Sequence, residues 1–230
     1  MKALAIDTSN QVMGVAIIDG QSIIGEYITN VKRNHSVQLM PAIHDLMKAV
    51  GIQPKQLERI IVAHGPGSYT GVRIGVTVAK TLAWSLNIPI VGVSSLEVLA
   101  QNGLYFSGLV SPIFDARRGQ VYTGLYKNSQ GVLQSIKEDQ ILLLKDWLIT
   151  LKDQEEKVLF LGNDVQLHQQ LITEVLGEQA VIATVSAYNP RPSELARIGI
   201  SKEPQEIHSF VPNYIRLAEA EAKWLAAQEK

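Results

Sequence analysis

The first thirty residues hold three apolar, β-branched runs divided only by turns, and this opening limits what the rest of the chain can become. The runs are Ala3 to Ile6, Val12 to Ile18 and Ile23 to Ile28. Asp7-Thr8-Ser9-Asn10 and Asp19-Gly20 separate them, and the second pair is a strong two-residue hairpin signal. A helix follows, with Ser36 as N-cap, Gly51 as its stop and Pro54 just beyond. Arg59 to His64 reads as a buried strand, Thr70 to Leu86 as a helix, Ile88 to Val93 as a strand and Leu96 to Asn102 as a short helix. A three-stranded meander extended by right-handed crossovers predicts a mixed sheet carrying helices. The fold class is α/β.

The second half starts again with strands, at Leu109 to Phe114, Val121 to Tyr126 and Val132 to Ile136. Helical segments are expected at Leu144 to Leu151, Val165 to Leu176, Glu194 to Ile200 and Leu217 to Gln228, with a strand at Val158 to Leu161. The two halves share an order of elements without aligning in sequence. The pattern loosens between Gly103 and Gly108, which places a boundary between domains 1–105 and 106–230.

With 230 residues, 46% of them hydrophobic and 19% charged, the chain is long enough for a full core and is not of disordered composition. It has no cysteine, which excludes disulfides, thiol nucleophiles and cysteine-based metal sites. No apolar run reaches the ~20 residues of a membrane span, and the run after Lys2 stops at Asp7, too soon for a signal peptide. The expectation is a cytoplasmic protein without membrane contact. Lysine and arginine number 21 against 22 acidic residues, and the densest basic clusters are the pairs Lys32-Arg33 and Arg117-Arg118. A chain that grips nucleic acid unaided carries a basic face, so any nucleic acid here is held by a partner.

Chemistry-bearing motifs are few. His64-Gly65-Pro66-Gly67-Ser68-Tyr69-Thr70-Gly71 leaves a strand and opens a helix, where phosphates often sit. It matches no dinucleotide, P-loop or hydrolase template, and a tight turn that lets the helix approach the sheet is the favoured reading. Asp7-Thr8-Ser9-Asn10 reads either as four good turn formers or as the phosphate-side turn of actin and sugar-kinase types. Together Asp7, Thr8, Ser9, Gly65, Gly67 and Ser68 are candidates for a weak anion or nucleotide contact. No two histidines have the three- or four-residue helical spacing of a metal pair, so no metal site is expected.

The helices say more. Leu39, Ile43, Leu46 and Val50 form one apolar stripe, with Met40 and Met47 offset from it and His44 between them. In the next long helix Gly71, Gly75, Ala79 and Ala83 recur every four residues, widened by Val72, Val76 and Val78. This exceeds the apolar face that one core needs, which suggests a protein interface; burial of both faces inside a two-layer domain fits the pattern equally well.

Taken in order, Ala5-Ile6-Asp7-Thr8-Ser9, Arg33-Asn34-His35-Ser36 with Leu39 and Pro41, the glycine turn with Val72-Arg73-Ile74-Gly75, Asp115-Ala116-Arg117-Arg118, and Pro212-Asn213-Tyr214-Ile215-Arg216 resemble the TsaB, or YeaZ, family. The blocks span nearly the whole chain. The resemblance implies two actin-like (ASKHA, ribonuclease-H-type) domains and a role in making N6-threonylcarbamoyladenosine at position 37 of tRNAs that read codons beginning with A. It implies a non-catalytic partner of the paralogous TsaD-type threonylcarbamoyl transferase, joined by a TsaE-type ATPase, with tRNA reached only through the complex. The partner contact is placed on the first domain, at His35, Met40, Ile43, His44, Met47, Gly71, Val72, Gly75, Val76, Ala79 and Ala83. A homodimer would use the same patch when the paralogue is absent. No cofactor is expected on the chain alone, while ATP or ADP has a place at the complex interface.

The paralogue's His-x-x-x-His metal pair, carried onto this sequence, falls on Ser95 and Leu99, with only Glu97 between them as a ligand type. Leucine cannot coordinate a metal and serine is a poor ligand. Two other classes compete with the scaffold reading: an ATP-dependent phosphotransferase or peptidase of actin-like fold acting alone, and a homodimeric module unrelated to tRNA.

Overall fold

In the computed structural model, residues 1–31 and 34–215 are described. Lys32-Arg33, Arg216 and the helix expected at Leu217 to Gln228 lie outside the described residues. The opening meander is present as β1 (Lys2–Asp7), β2 (Met13–Asp19) and β3 (Ser22–Thr29), antiparallel in sequence. Asp19 pairs with Ser22, so the hairpin turn is Gly20-Gln21, one residue later than expected. α1 (His35–Ala49), β4 (Arg59–Ala63), α2 (Tyr69–Leu86) and β5 (Ile90–Val93) add two parallel strands beyond β1, giving the order β3-β2-β1-β4-β5.

The two-residue period of β1 explains how this sheet is covered. Leu4 and Ile6 face a core built with Leu39, Ile43 and Met47 of α1 and Val72, Val76, Ala79 and Ala83 of α2. Ala3 and Ala5 face the other side, where small side chains let a helix from the far end of the chain come close. That helix is α6 (Pro192–Ser201), which places Leu195, Ala196 and Ile198 on the sheet.

After α3 (Ser95–Ala100) the second half repeats the plan. β6 (Leu109–Asp115), β7 (Gln120–Ser129) and β8 (Val132–Leu143) form a meander, α4 (Leu144–Lys152) and α5 (Val165–Leu176) flank β9 (Val158–Leu161), and β10 (Ala180–Ile182) closes the sheet. The order β10-β9-β6-β7-β8 is the first sheet's order read from the other edge, with the same parallel and antiparallel pairings. The two mixed sheets flanked by helices that the resemblance implied are therefore both there.

The division expected at residue 105 runs between the two sheets but not between the packed bodies. α3, from the first half, puts Leu96, Leu99 and Ala100 into the second sheet's core beside Val110, Phe114 and Leu161. α6 and the strap after it return to the first sheet, where Gln205 bridges to Ile90 and Phe210 enters the first core. The helices exchange because each sheet has an apolar face that its own half leaves uncovered.

Candidate functional site

Two turns from distant parts of the sequence lock together at one end of the first sheet. Asp7 is 1% exposed; its Oδ1 accepts from the Ser9 amide at 2.8 Å and the Ser9 hydroxyl at 2.7 Å. Thr8 donates to the Gly71 carbonyl at 2.7 Å, and the Ser68 amide donates to the Ser9 carbonyl at 2.7 Å. A side chain at Gly67 or Gly71 would collide with the backbone oxygens of Ser9 and Thr8, and one at Gly75 would meet the Thr8 hydroxyl at 2.5 Å. These glycines let α2 lie directly on the first turn. Ser68 caps α2 by accepting from Gly71.

This arrangement corrects the interface reading. The stripe Gly71, Gly75, Ala79 and Ala83, with Val72 and Val76, faces the chain's own sheet. Met47 lies in line with Leu39 and Ile43 in the same core, while Leu46 and Val50 pack at its margin against Gly25. Helical pattern alone does not say which apolar stripe meets the sheet. His35 is half-buried, with Nε2 3.0 Å from the Asn10 carbonyl oxygen. Of the proposed contact residues, Met40 and His44 stand exposed. The exposed side of α2 is instead Tyr69, Arg73, Thr77 and Trp84, the last 66% exposed. The N-cap of α1 is Asn34 rather than Ser36, whose amide it binds.

Between the sheets opens a cleft of about 720 Å³. Ser9, Gly67 and Ser68 line it; Asp7, Thr8 and Gly65 do not. Burial pushes the Asp7 carboxyl above its ordinary value, against the hydrogen bonds from Ser9. Its Oδ2 and the Asn10 side-chain nitrogen are buried without a partner among the described residues.

The facing wall comes from the equivalent turn of the second lobe. Arg117, Arg118 and Gly119 follow one another at φ of 66°, 56° and 73°, and the first two line the cleft. Non-glycine residues seldom hold that conformation, and here the hairpin bonds Ala116 N to Gln120 O and Gln120 N to Arg117 O enforce it. Asp115, before the turn, lies 3.1 Å from His168 Nε2 of α5, and its amide donates to Asp164 at 2.8 Å. Burial raises the Asp164 carboxyl. Asp115 to Arg118 carry the family resemblance, but nothing in their sequence signals that they line a cleft.

The third wall is the strap at 205–215, which no periodicity announces. Asn213 donates its amide to the His64 carbonyl at 2.7 Å, and a side chain at Gly65 would meet the Asn213 oxygen. Tyr214 stacks on Tyr69 at 5.1 Å between ring centroids, with Arg73 over the Tyr69 ring at 4.6 Å. Lys80 holds the strap through the His208 and Phe210 carbonyls.

The positions compared with a metal pair serve other ends. Ser95 is fully buried and its hydroxyl accepts from the Gly65 amide at 3.1 Å; Leu99 is fully buried in the second core. Among the described residues no group of three or more His, Cys, Asp or Glu is placed to hold a metal ion, and no helix is long and apolar enough to cross a membrane.

With the two lobes, their exchanged helices and this cleft in view, comparison with known proteins is decisive. Over its whole length the chain is 58% identical to the tRNA threonylcarbamoyladenosine biosynthesis protein TsaB of Bacillus subtilis, covering all of that protein. The chain belongs to the TsaB family. It is 30% identical to the Escherichia coli TsaB over 62% of each chain. The structure of YeaZ from Pseudomonas aeruginosa superposes with a TM-score of 0.79 at 25% identity, over 93% of this chain and 99% of that one. EutJ, an ethanolamine utilization protein from Carboxydothermus hydrogenoformans, shares the fold alone, at TM-score 0.50 and 12% identity over 86% and 90% of the chains. A family model described as TsaD, tRNA N6-adenosine threonylcarbamoyltransferase, matches residues 22–224. The lobes are thus of the actin-like type, and Ser95 and Leu99 are where this member puts structure at positions compared with the paralogue's metal pair.

Proposed function

We propose that this protein serves tRNA threonylcarbamoyladenosine biosynthesis as a non-catalytic subunit that binds and activates a TsaD-type transferase acting on position 37 of tRNAs that read A-starting codons. The observation that carries the reading is the use of Ser95 and Leu99. One fastens the glycine turn and the other fills a core, so neither is free to hold a metal. The family relationship supplies the pathway. Because the small-residue stripe of α2 is buried, this reading takes the outward sides of α1 and α2 as the docking surface, with Val37, Met40 and His44 exposed on one helix and Tyr69, Thr77 and Trp84 on the other. Both helices cover the same face of the first sheet, so one partner surface can span them.

In this reading tRNA is reached through the complex, a TsaE-type ATPase joins it, and the same surface pairs two copies when the transferase is absent. Asp7 is spent on its own turn and does not reach the cleft, which supports weak Mg-ATP binding by the chain alone and leaves ATP or ADP for the complex interface. Co-purification with the transferase, followed by a threonylcarbamoylation assay, tests it. Met40→Glu and Trp84→Glu should each weaken co-elution at least tenfold and lower modification, with circular dichroism unchanged, since a charge buried in a contact lacks a counter-ion. Wild-type co-elution by both would place the contact elsewhere. Ala79→Arg and Met47→Glu would instead strike the core.

A further inference from the structure

Side-chain amides meet at the rim of the cleft. Gln11, which lines it, donates to Asn30 at 3.1 Å. Asn30, just past β3 in the first lobe, donates across the gap to Asn163 at 3.0 Å and to Asn189 at 3.2 Å. Asn163 belongs to the turn between β9 and α5 and stands beside Asp164 of the opposite wall; it donates to Asn189 at 2.9 Å.

A second tie lies at the other edge. Ser94, at the end of β5, donates to Asp139 of β8, which also accepts from the Tyr126 hydroxyl at 2.5 Å. β3 and β5 are opposite edges of the first sheet, and β9 and β8 lie on opposite sides of β6 in the second. The lobes are therefore fastened at both flanks, with α3 buried between them in the cores of both sheets. Opening the cleft must part Asn30, which Gln11 holds from its own lobe, from Asn163. Twisting one lobe on the other strains both ties together.

We propose that these ties clasp the lobes at one separation, so that this protein works without opening and closing its cleft on a ligand. The chain's lack of cysteine makes a direct test clean. Gln21→Cys in the first lobe and Thr173→Cys in the second are both exposed and would carry the only two spin labels. Pulsed electron resonance on the full chain should give one narrow distance, unchanged by millimolar Mg-ATP. Adding Asn30→Ala with Asn163→Ala should broaden it while unfolding stays cooperative. A broad wild-type distribution, a shift on adding Mg-ATP, or a clasp variant indistinguishable from wild type would each overturn the proposal.

Discussion

The two lobes are built on one plan, yet they treat their equivalent turns in opposite ways. In the first, Asp7 to Ser9 are buried, hydrogen-bonded among themselves and pressed under α2 by glycines at 67, 71 and 75. In the second, Arg117 to Gly119 stand exposed in a left-handed backbone, with the half-buried Asp115 turned to His168 and two arginines on the cleft. The lesson is that a turn at one topological position can be a structural lock in one copy and a displayed charged surface in the other. Glycine placement decides which: α2 has three close approaches to its turn, whereas a side chain at Gly119 would meet only Leu143, at 4.0 Å.

The sharpest way to break that contrast is to add one methyl group to each turn. Gly67→Ala forces the two locked turns apart and should destabilise by about 3 kcal/mol or more, whereas Gly119→Ala incurs only backbone strain, about 1 kcal/mol. Equal losses in urea unfolding would erase the distinction. Next in size, Leu99→Ala empties a site that joins the halves and should cost about 2–5 kcal/mol. Differential scanning calorimetry should then show one lowered transition. A change under 1 kcal/mol would mean that α3 is not the joint described here.

Acid titration separates two carboxyls of the first lobe, the buried Asp7 and the half-buried Glu26. Burial pushes the Glu26 carboxyl up, but the hydrogen bonds from Ser193 and the ion pair with Arg191 outweigh it and hold the group below its ordinary value. Its stabilisation is complete above the unfolded value and is lost as pH falls through the folded one. Glu26→Gln should therefore destabilise by about 1 kcal/mol near neutrality, with the gap closing in acid. Asp7 is raised, so its ionisation works against the fold; that penalty is absent below about 3.8, the ordinary value, and grows as pH rises through the folded value. Asp7→Asn should give the smallest change at neutral pH, and a stabilising one, converging on wild type in acid. Stability curves against pH for the two variants with the same sign would contradict the account.

Much of the fold was legible because burial leaves a period. β9 and α5 lie where the apolar runs begin and end, and the opening meander follows its three apolar runs and the turns between them. β8 continues well past Ile136 because Lys137 to Gln140 sit on an edge strand where polar side chains are tolerated, and Asp139 turns inward only through Ser94 and Tyr126. The three-residue β10 is too short to show a period. The site was less legible. A stripe of small residues looks the same whether a partner or the chain's own sheet covers it, and what settles α2 is the Thr8 hydroxyl, 63 residues away in sequence, which donates to the Gly71 carbonyl. The strap at 205–215 is held by backbone bonds and ring stacking, which carry no sequence period.

The central claim is that this chain assists the transfer and does not perform it. An omission assay tests it most directly: tRNA and threonylcarbamoyl-adenylate are incubated with this protein, with the TsaD-type transferase, or with both. The account predicts no modified adenosine from this protein alone, little from the transferase alone, and at least tenfold more from the pair. Modification by this protein on its own, or equal modification without it, would contradict the account.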